Sequence, residues 1–302
     1  MDLKSKIILI YGPTAAGKTK FAVKLAKKIK GEIINADSMQ VYKNFKVLTA
    51  RPSKEDTKNV KHYLFGFKDA KKDFSVGDWI AQVKKRIELI KKKNKIPILV
   101  GGTGLYFKAI TEGLVKITNI PSKTRAKIRN LHIKIGQNNF FNELIRIDPL
   151  VNNKIKPNDV QRSLRAYEVK FFTKKSIFNW YKETKPIFKK SEFVKIYVDF
   201  PRSELIERIN FRTKKMLENG SIMEVKKFLR LRVSKDSTAS KAIGILEIKD
   251  FLNNRLSLKQ VIEKISIKTR QYAKRQVTWA RGNMSDWKKI NPKNLDSFLK
   301  NI

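Results

Sequence analysis

A run of apolar, mostly β-branched residues, Ile7-Ile8-Leu9-Ile10-Tyr11, leads without interruption into Gly12-Pro13-Thr14-Ala15-Ala16-Gly17-Lys18-Thr19, the pattern G-x-x-x-x-G-K-T. Apolar residues followed at once by glycine predict a buried strand that ends in a tight loop. After Thr19 the spacing becomes helical. Phe21, Ala22, Leu25, Ala26 and Ile29 fall on one face, and Gly31 is placed to cap the helix at its C-terminus. Strand, glycine loop and helix in this order predict a phosphate-binding loop. Its N–H groups converge at a helix N-terminus, where negative charge is favoured. Lys18 is expected to reach the terminal phosphates and the Thr19 hydroxyl to ligate Mg²⁺. The expected fold is α/β, a P-loop NTPase-like parallel-sheet core, and the expected ligand is a phosphate compound.

The 302 residues suffice for one large domain or two modest ones. The apolar fraction is 41%, and no run approaches the roughly eighteen apolar residues of a membrane span. No signal-peptide segment precedes the first strand, and the absence of cysteine excludes disulfides and thiolate metal sites. A cytoplasmic, monomeric protein without membrane contact is expected. The charge is unusual. Lys+Arg 68 against Asp+Glu 27 gives +41, a field that draws polyanions and makes their binding salt-dependent. Nucleic acid is the leading candidate partner.

Ile33 and Ile34 predict a short buried strand with Asp37 just past its end. Ligands of open α/β sheets sit outside the carboxyl ends of the strands, so Asp37 is expected to face the phosphate loop. There it can act as a general base or hold Mg²⁺ through water; equally, an Asp-Ser pair can simply cap a turn. Neither His62 nor His132 has a partner at metal-ligand spacing. Residues 75–90 predict a helix with Trp79, Ile80, Val83, Ile87 and Ile90 on one face. A second apolar strand, 96–100, ends in Gly101-Gly102-Thr103-Gly104 instead of the metal-binding Asp of Walker-type NTPases. That turn offers more N–H groups and the Thr103 hydroxyl to a leaving-group oxygen. Transfer of a group attached to diphosphate fits it better than nucleotide hydrolysis.

The strand-helix alternation stops between 113 and 192. A helical insertion is expected there, with pieces at 123–131, 140–147 and 160–173 and with Gln161, Arg162 and Arg165 on one side of the last. The core is expected over 1–112 and again from 193 to 302, where basic helices close the chain. Arg208 and Arg212 stand at i, i+4 on a helix over 202–219, placed to grip a diphosphate or to pair with Glu204 and Glu207. The helix over 258–281 has no acidic residue after Lys264. Tyr272, Gln276 and Trp279 are interleaved there with Arg270, Lys274 and Arg275, which suits phosphate contact and base stacking. An edge strand at 287–290 and a surface helix over the last dozen residues complete the expectation.

Taken together, GPTAAGKT (12–19), NADSMQVY (35–42), TARP (49–52), PILVGGTGLY (97–106), KPNDVQRSLRAYEV (156–169) and TRQYAKRQVTWAR (269–281) resemble the tRNA dimethylallyltransferase family over nearly the whole chain. The P-loop is widely shared, but the set as a whole is specific. The resemblance implies Mg²⁺-dependent transfer of a dimethylallyl group from dimethylallyl diphosphate to N6 of the adenosine immediately 3′ of the anticodon, in tRNAs reading U-initial codons. It implies that Asp37 takes the N6 proton and that Thr103 contacts the bridging oxygen. It implies that Gly12 to Thr19 hold the diphosphate, with Lys18, Arg208 and Arg212 adding positive charge. It implies tRNA contacts at Asp37, Ser38, Met39, Gln40, Thr103, Arg125, Gln161, Arg162, Ser163, Leu164, Arg165, Lys241 and Gly244, which Arg270, Lys274 and Arg275 join from the basic helix. Tyr106 and Phe107 are candidates, by type and position, for the wall of a prenyl pocket. The chain departs from the family pattern at Ile245 and Ala280. The alternatives are a P-loop nucleoside or nucleotide kinase and a non-catalytic RNA-binding protein.

Overall fold

Strand β1 (Ile7–Tyr11) is buried along its whole length because both of its faces are covered. Ile7, Leu9 and Tyr11 enter one core and Ile8 and Ile10 another, which explains a continuous apolar run where a half-exposed strand would alternate. In this computed structural model, which describes residues 5–294 and 297–298, β1 pairs in parallel with β4 (Ile96–Gly101) and β5 (Phe193–Val198). With β2 (Gly31–Asn35), β3 (His62–Tyr63) and β6 (Lys288–Ile290) they form a six-stranded parallel sheet of order β3-β2-β4-β1-β5-β6. The carboxyl ends of the strands therefore share one edge, where the glycine loops emerge.

Helices cover both faces. They are α1 (Lys18–Lys28), the single turn α2 (Lys54–Thr57), α3 (Val76–Lys92), α4 (Gly104–Glu112), and, after the insertion described below, α8 (Arg202–Glu218), α9 (Ser221–Arg230), α10 (Ile245–Leu252) and α11 (Leu258–Asn283). A reciprocal Ser75–Asp78 capping box starts α3, and its Trp79, Val83, Ile87 and Ile90 are fully buried. The Trp79 indole stacks on Tyr106 at 4.2 Å and donates to the Asn35 carbonyl at 2.9 Å, fixing the exit of β2.

Gly31 does not cap α1. Ile29 is the C-cap, Lys30 takes the left-handed conformation (φ 54°), and Gly31 opens β2. The reason lies across the sheet, where a Cβ on Gly31 would come within 2.6 Å of Ile98 Cδ1 and 3.1 Å of the Ile96 carbonyl. The glycine serves strand packing, and the chain reversal falls to a lysine.

Residues through Thr111 and from Phe188 on form one compact unit, and Glu112–Ile187 form a second. The second unit contains α5 (Ser122–Ile147), α6 (Val160–Thr173) and α7 (Ile177–Lys182) around its own core, in which Phe140, Leu144, Val151 and Val169 are fully buried. The two helical pieces expected before 148 are present within this span as two helices that meet at a kink at Gly136 (φ 76°, ψ 167°), a conformation open to glycine and costly for other residues. Half of the last dozen residues, where a surface helix is expected, lie outside the described residues, and the described ones include a short 3₁₀ turn at Pro292–Asn294. No helix among the described residues is long and apolar enough to cross a membrane.

Candidate active site

Three backbone turns converge at the carboxyl edge of the sheet: the loop after β1, the turn after β2 and the glycine turn after β4. Ala36 N–H donates to the Val100 carbonyl (2.8 Å) and Thr103 N–H to the Ala36 carbonyl (3.2 Å), which ties the second turn to the third. The Asn35 side chain donates to the Asp37 carbonyl and accepts from Asp37 N–H, both at 2.9 Å. Thr103 Oγ1 accepts from Ser38 N–H at 2.9 Å. These bonds leave Asp37 at the junction of two cavities. Its Oδ1 also accepts from Met39 N–H (2.9 Å) and Gln40 N–H (3.3 Å). Turn capping and site position, alternatives in the sequence, are both true of this residue.

The first cavity, about 670 Å³, is lined by Thr14, Ala15, Gly17, Lys18 and Thr19 of the loop, with Asp37, Gln40, Arg208 and Arg212 opposite. Gly12, Pro13 and Ala16 are buried beneath the loop and do not line it. Lys18 Nζ donates to the Pro13 carbonyl at 2.6 Å. Desolvation pushes the Lys18 ammonium down to about 7, with Arg212 lowering it further and Asp37 acting in the opposite sense. Arg212 donates to Thr14 Oγ1 at 2.8 Å, and the Arg208 guanidinium lies over the Phe200 ring at 4.6 Å. Glu204 pairs with Lys293 (2.8 Å), and Glu207 lines the first cavity beside the two arginines.

The second cavity, about 270 Å³, shares Thr14, Asp37, Thr49 and Arg212 with the first. Ser38, Met39, Lys241, Tyr272 and Arg275 line it together with an apolar side that includes Leu48, Met216 and Ile265. Tyr272 shares a side-chain hydrogen bond with Thr103, and burial followed by the Asp37 charge raises its phenol far above the ordinary range. An elongated substrate can therefore extend from the phosphate loop past Asp37 toward an acceptor entering from the other side.

Several expected site residues sit elsewhere. Arg270 and Lys274 line a separate groove between α8 and α11, on a different face of α11 from Arg275. Gly244 is buried at the start of α10, where its N–H donates to Glu247 at 3.0 Å; this removes it from any lining surface. Tyr106 and Phe107 are core residues, packed on Trp79 and on Tyr11, and line neither cavity. Within the second unit, Ser163 is fully buried, with its hydroxyl donating to the Asp159 carbonyl at 2.8 Å, so its side chain presents no surface to a partner. Gln161 is exposed there, Arg162 pairs with the helix-capping Asp159, and Arg165 reaches Glu168 at 3.5 Å. Leu164 packs against the core of that unit, and Arg125 is half-buried.

One residue that positions the site lies outside every motif. The Glu224 carboxylate accepts from the N–H groups of Lys46, Val47 and Leu48 at 2.8–3.0 Å, holding the loop that presents Thr49 and Ala50. Gln40 Nε2 donates to the Thr49 carbonyl of the same loop at 2.8 Å. Glu224→Ala is expected to lower stability by about 1.5–3 kcal/mol, because it leaves N–H groups without a charged acceptor. A reduced urea midpoint with an unchanged m-value would show this; an unchanged midpoint would contradict it. Gln276 of α11, within the 269–281 motif, also positions the site and is treated below. Both histidines are structural, bonded to the Val60 carbonyl and to Gln137. No cluster of three metal-ligating side chains occurs among the described residues.

A family model described as IPP transferase matches residues 40–283. The chain is 55% identical over 302 residues, 100% of its length and 96% of the relative's, to a tRNA dimethylallyltransferase of Pelagibacter ubique (strain HTCC1062). It is 41% identical over 294 residues, 97% of its length and 99% of the relative's, to the protein of that name from Agrobacterium fabrum. Among solved structures it is similar to the full-length tRNA isopentenylpyrophosphate transferase of Bacillus halodurans, with TM-score 0.70, 32% identity and coverage of 98% and 95% of the two chains. It is also similar to a eukaryotic dimethylallyltransferase acting on tRNA, with TM-score 0.79, 29% identity and coverage of 91% and 69%.

Proposed function

Because the chain belongs to the tRNA dimethylallyltransferase family, we propose that it transfers a dimethylallyl group from dimethylallyl diphosphate to N6 of the adenosine immediately 3′ of the anticodon, in tRNAs reading U-initial codons. The observation that carries the reading is Asp37 at the junction of a phosphate-loop cavity and a second cavity with cationic and apolar walls.

The diphosphate lies on the loop N–H groups of the first cavity, with Lys18, Arg208 and Arg212 around it. The adenine, drawn out of its stack, enters the second cavity past Arg275 and Lys241. Adenine N6 is a weak nucleophile because its lone pair is delocalised into the ring. As the new N6–carbon bond forms, the carbon–oxygen bond to diphosphate breaks and its electron pair leaves on the bridging oxygen. Asp37 takes the proton released by N6, and the Thr103 hydroxyl donates to the departing oxygen. Loop and arginine charges stabilise the diphosphate as it leaves. Mg²⁺ fits this site, since Thr19 faces the cavity and Mg²⁺ takes few protein ligands beside substrate phosphates and water. When bound, it neutralises part of the diphosphate charge.

On the second unit, Arg125, Gln161, Arg162 and Arg165 are proposed to contact the tRNA. Arg270 and Lys274 extend contact with its backbone away from the reaction cavity. The net charge of +41 supports a polyanionic partner.

The test is incubation with Mg²⁺, labelled dimethylallyl diphosphate and an anticodon stem-loop with a 3′-adjacent adenosine. Label on N6 of that adenosine is the expected result. Label only on free adenine nucleotides would overturn the tRNA assignment, and phosphate transfer from ATP without label would favour the kinase.

A further inference from the structure

We propose that Gln276 is a positioning residue that fixes the separation between the diphosphate loop and the Thr103 turn; the inference rests on the reaction proposed above. Gln276 is 5% exposed and reaches the wall of the first cavity between the two elements. Its Oε1 accepts from Thr14 N–H at 2.8 Å and its Nε2 donates to the Gly102 carbonyl at 2.7 Å. One amide thus bridges the loop after β1 and the turn after β4, using an acceptor for the first and a donor for the second.

The bridge is held from behind. Tyr11, at the end of β1, donates its hydroxyl to the Gln276 backbone carbonyl at 2.9 Å. The ring of Trp279, one turn further along α11, fills the space beside Gly104, where a Cβ would lie 2.4 Å from it. Gly102 is tied to the amide in the same way, since a Cβ there would lie 2.1 Å from Gln276 Nε2. Side-chain-free residues at 102 and 104 let the turn close onto α11.

The polarity of the bridge has a functional consequence. Thr14 also accepts from Arg212 at 2.8 Å, so the acceptor half of Gln276 sets the loop and the arginine that meet the diphosphate. The donor half sets Gly102, the neighbour of Thr103, whose hydroxyl receives Ser38 N–H next to Asp37. Leaving-group cradle and proton-transfer side are therefore registered to each other through one side chain. A glutamate at 276 keeps the acceptor for Thr14 and loses the donor for Gly102. A leucine of similar size loses both.

The two substitutions are expected to affect binding and turnover in different ways. In Gln276→Glu, which also places a carboxylate on the wall of the first cavity, affinity for inorganic diphosphate by calorimetry falls by charge repulsion, and kcat for prenyl transfer at saturating diphosphate falls roughly tenfold or more, as expected when a reacting group is misplaced. In Gln276→Leu, diphosphate affinity also falls about tenfold. Gly102→Ala lowers kcat in the wild-type background and has no further effect in Gln276→Ala, because the atom it would strike is gone. A purely structural role would reduce the amount of folded enzyme and leave kcat per folded site unchanged.

Unchanged kcat in Gln276→Glu, or additive losses in the Gly102→Ala/Gln276→Ala pair, would overturn the inference. Unchanged diphosphate affinity in the leucine variant would also overturn it. The calorimetric comparison needs no acceptor, so failure of the tRNA reaction in the wild type would count against the reaction alone.

Discussion

Asp37→Asn lowers the rate of prenyl transfer by about 10²–10⁴-fold, the range for loss of a positioned general base, and does not weaken affinity for inorganic diphosphate, since it removes a negative charge from the cavity wall. Asparagine is the discriminating substitution because Asp37 has two jobs. Its Oδ1 caps the turn by accepting from Met39 and Gln40 N–H, and a carboxamide oxygen can do the same. The carboxamide cannot take a proton. Turn geometry is therefore kept while basicity is lost, whereas Asp37→Ala removes both and adds a structural contribution to the chemical one. Single-turnover transfer of label to an anticodon stem-loop reads the rate, and calorimetry reads diphosphate affinity. A rate within threefold of wild type in the asparagine variant would remove Asp37 from its role as base. A normal rate in asparagine with a low rate in alanine would assign it to turn capping alone.

The parts of the fold legible in the sequence are those where one local rule operates. β1 and β4 are apolar because both of their faces are covered, and α3 and α6 begin at Ser75 and Asp159, whose side chains accept from the N–H three positions on. Gly31 was misleading because glycine has two uses, and the Ile98 side chain that decides between them is distant in sequence. The basic stretch of α11 shows the same difficulty at the level of function. Val261, Ile265, Thr269, Ala273, Gln276 and Ala280 recur at spacings of three and four, and all six are buried. Gln276 therefore falls on the inward stripe, a signal present in the sequence but masked by the surrounding cations. Trp279 packs on Gly104 and is not free to stack on a base. Glu224 had no local signal, because its acceptors' partners lie 176 to 178 residues away and only the packed fold brings them together.

Lys18 makes binding of the prenyl diphosphate weaken as pH rises above about 7. Its ammonium is held where desolvation disfavours charge, with Arg212 nearby adding repulsion. A bound diphosphate reverses this balance by placing negative charge against the same atom, so the bound enzyme keeps Lys18 protonated. Below pH about 7 the free enzyme is already charged, and this group contributes no slope. Above it, binding must take up a proton, and affinity falls by as much as about tenfold per pH unit until the pKa of the bound state is reached. Ionisation of the prenyl diphosphate works in the opposite direction and is largely complete above pH about 7, since the second pKa of a phosphate ester is about 6. Calorimetry with dimethylallyl diphosphate, without acceptor, in buffers of different ionisation enthalpy across pH 7 to 9 measures the proton uptake. Lys18→Arg, charged throughout, is expected to flatten the profile. Lys18→Met is expected to lower kcat by about 10²–10³-fold, the loss typical of removing one donor to a developing anion. Proton uptake near zero at pH 8 in the wild type, or a slope that persists in the arginine variant, would assign the pH dependence to another group.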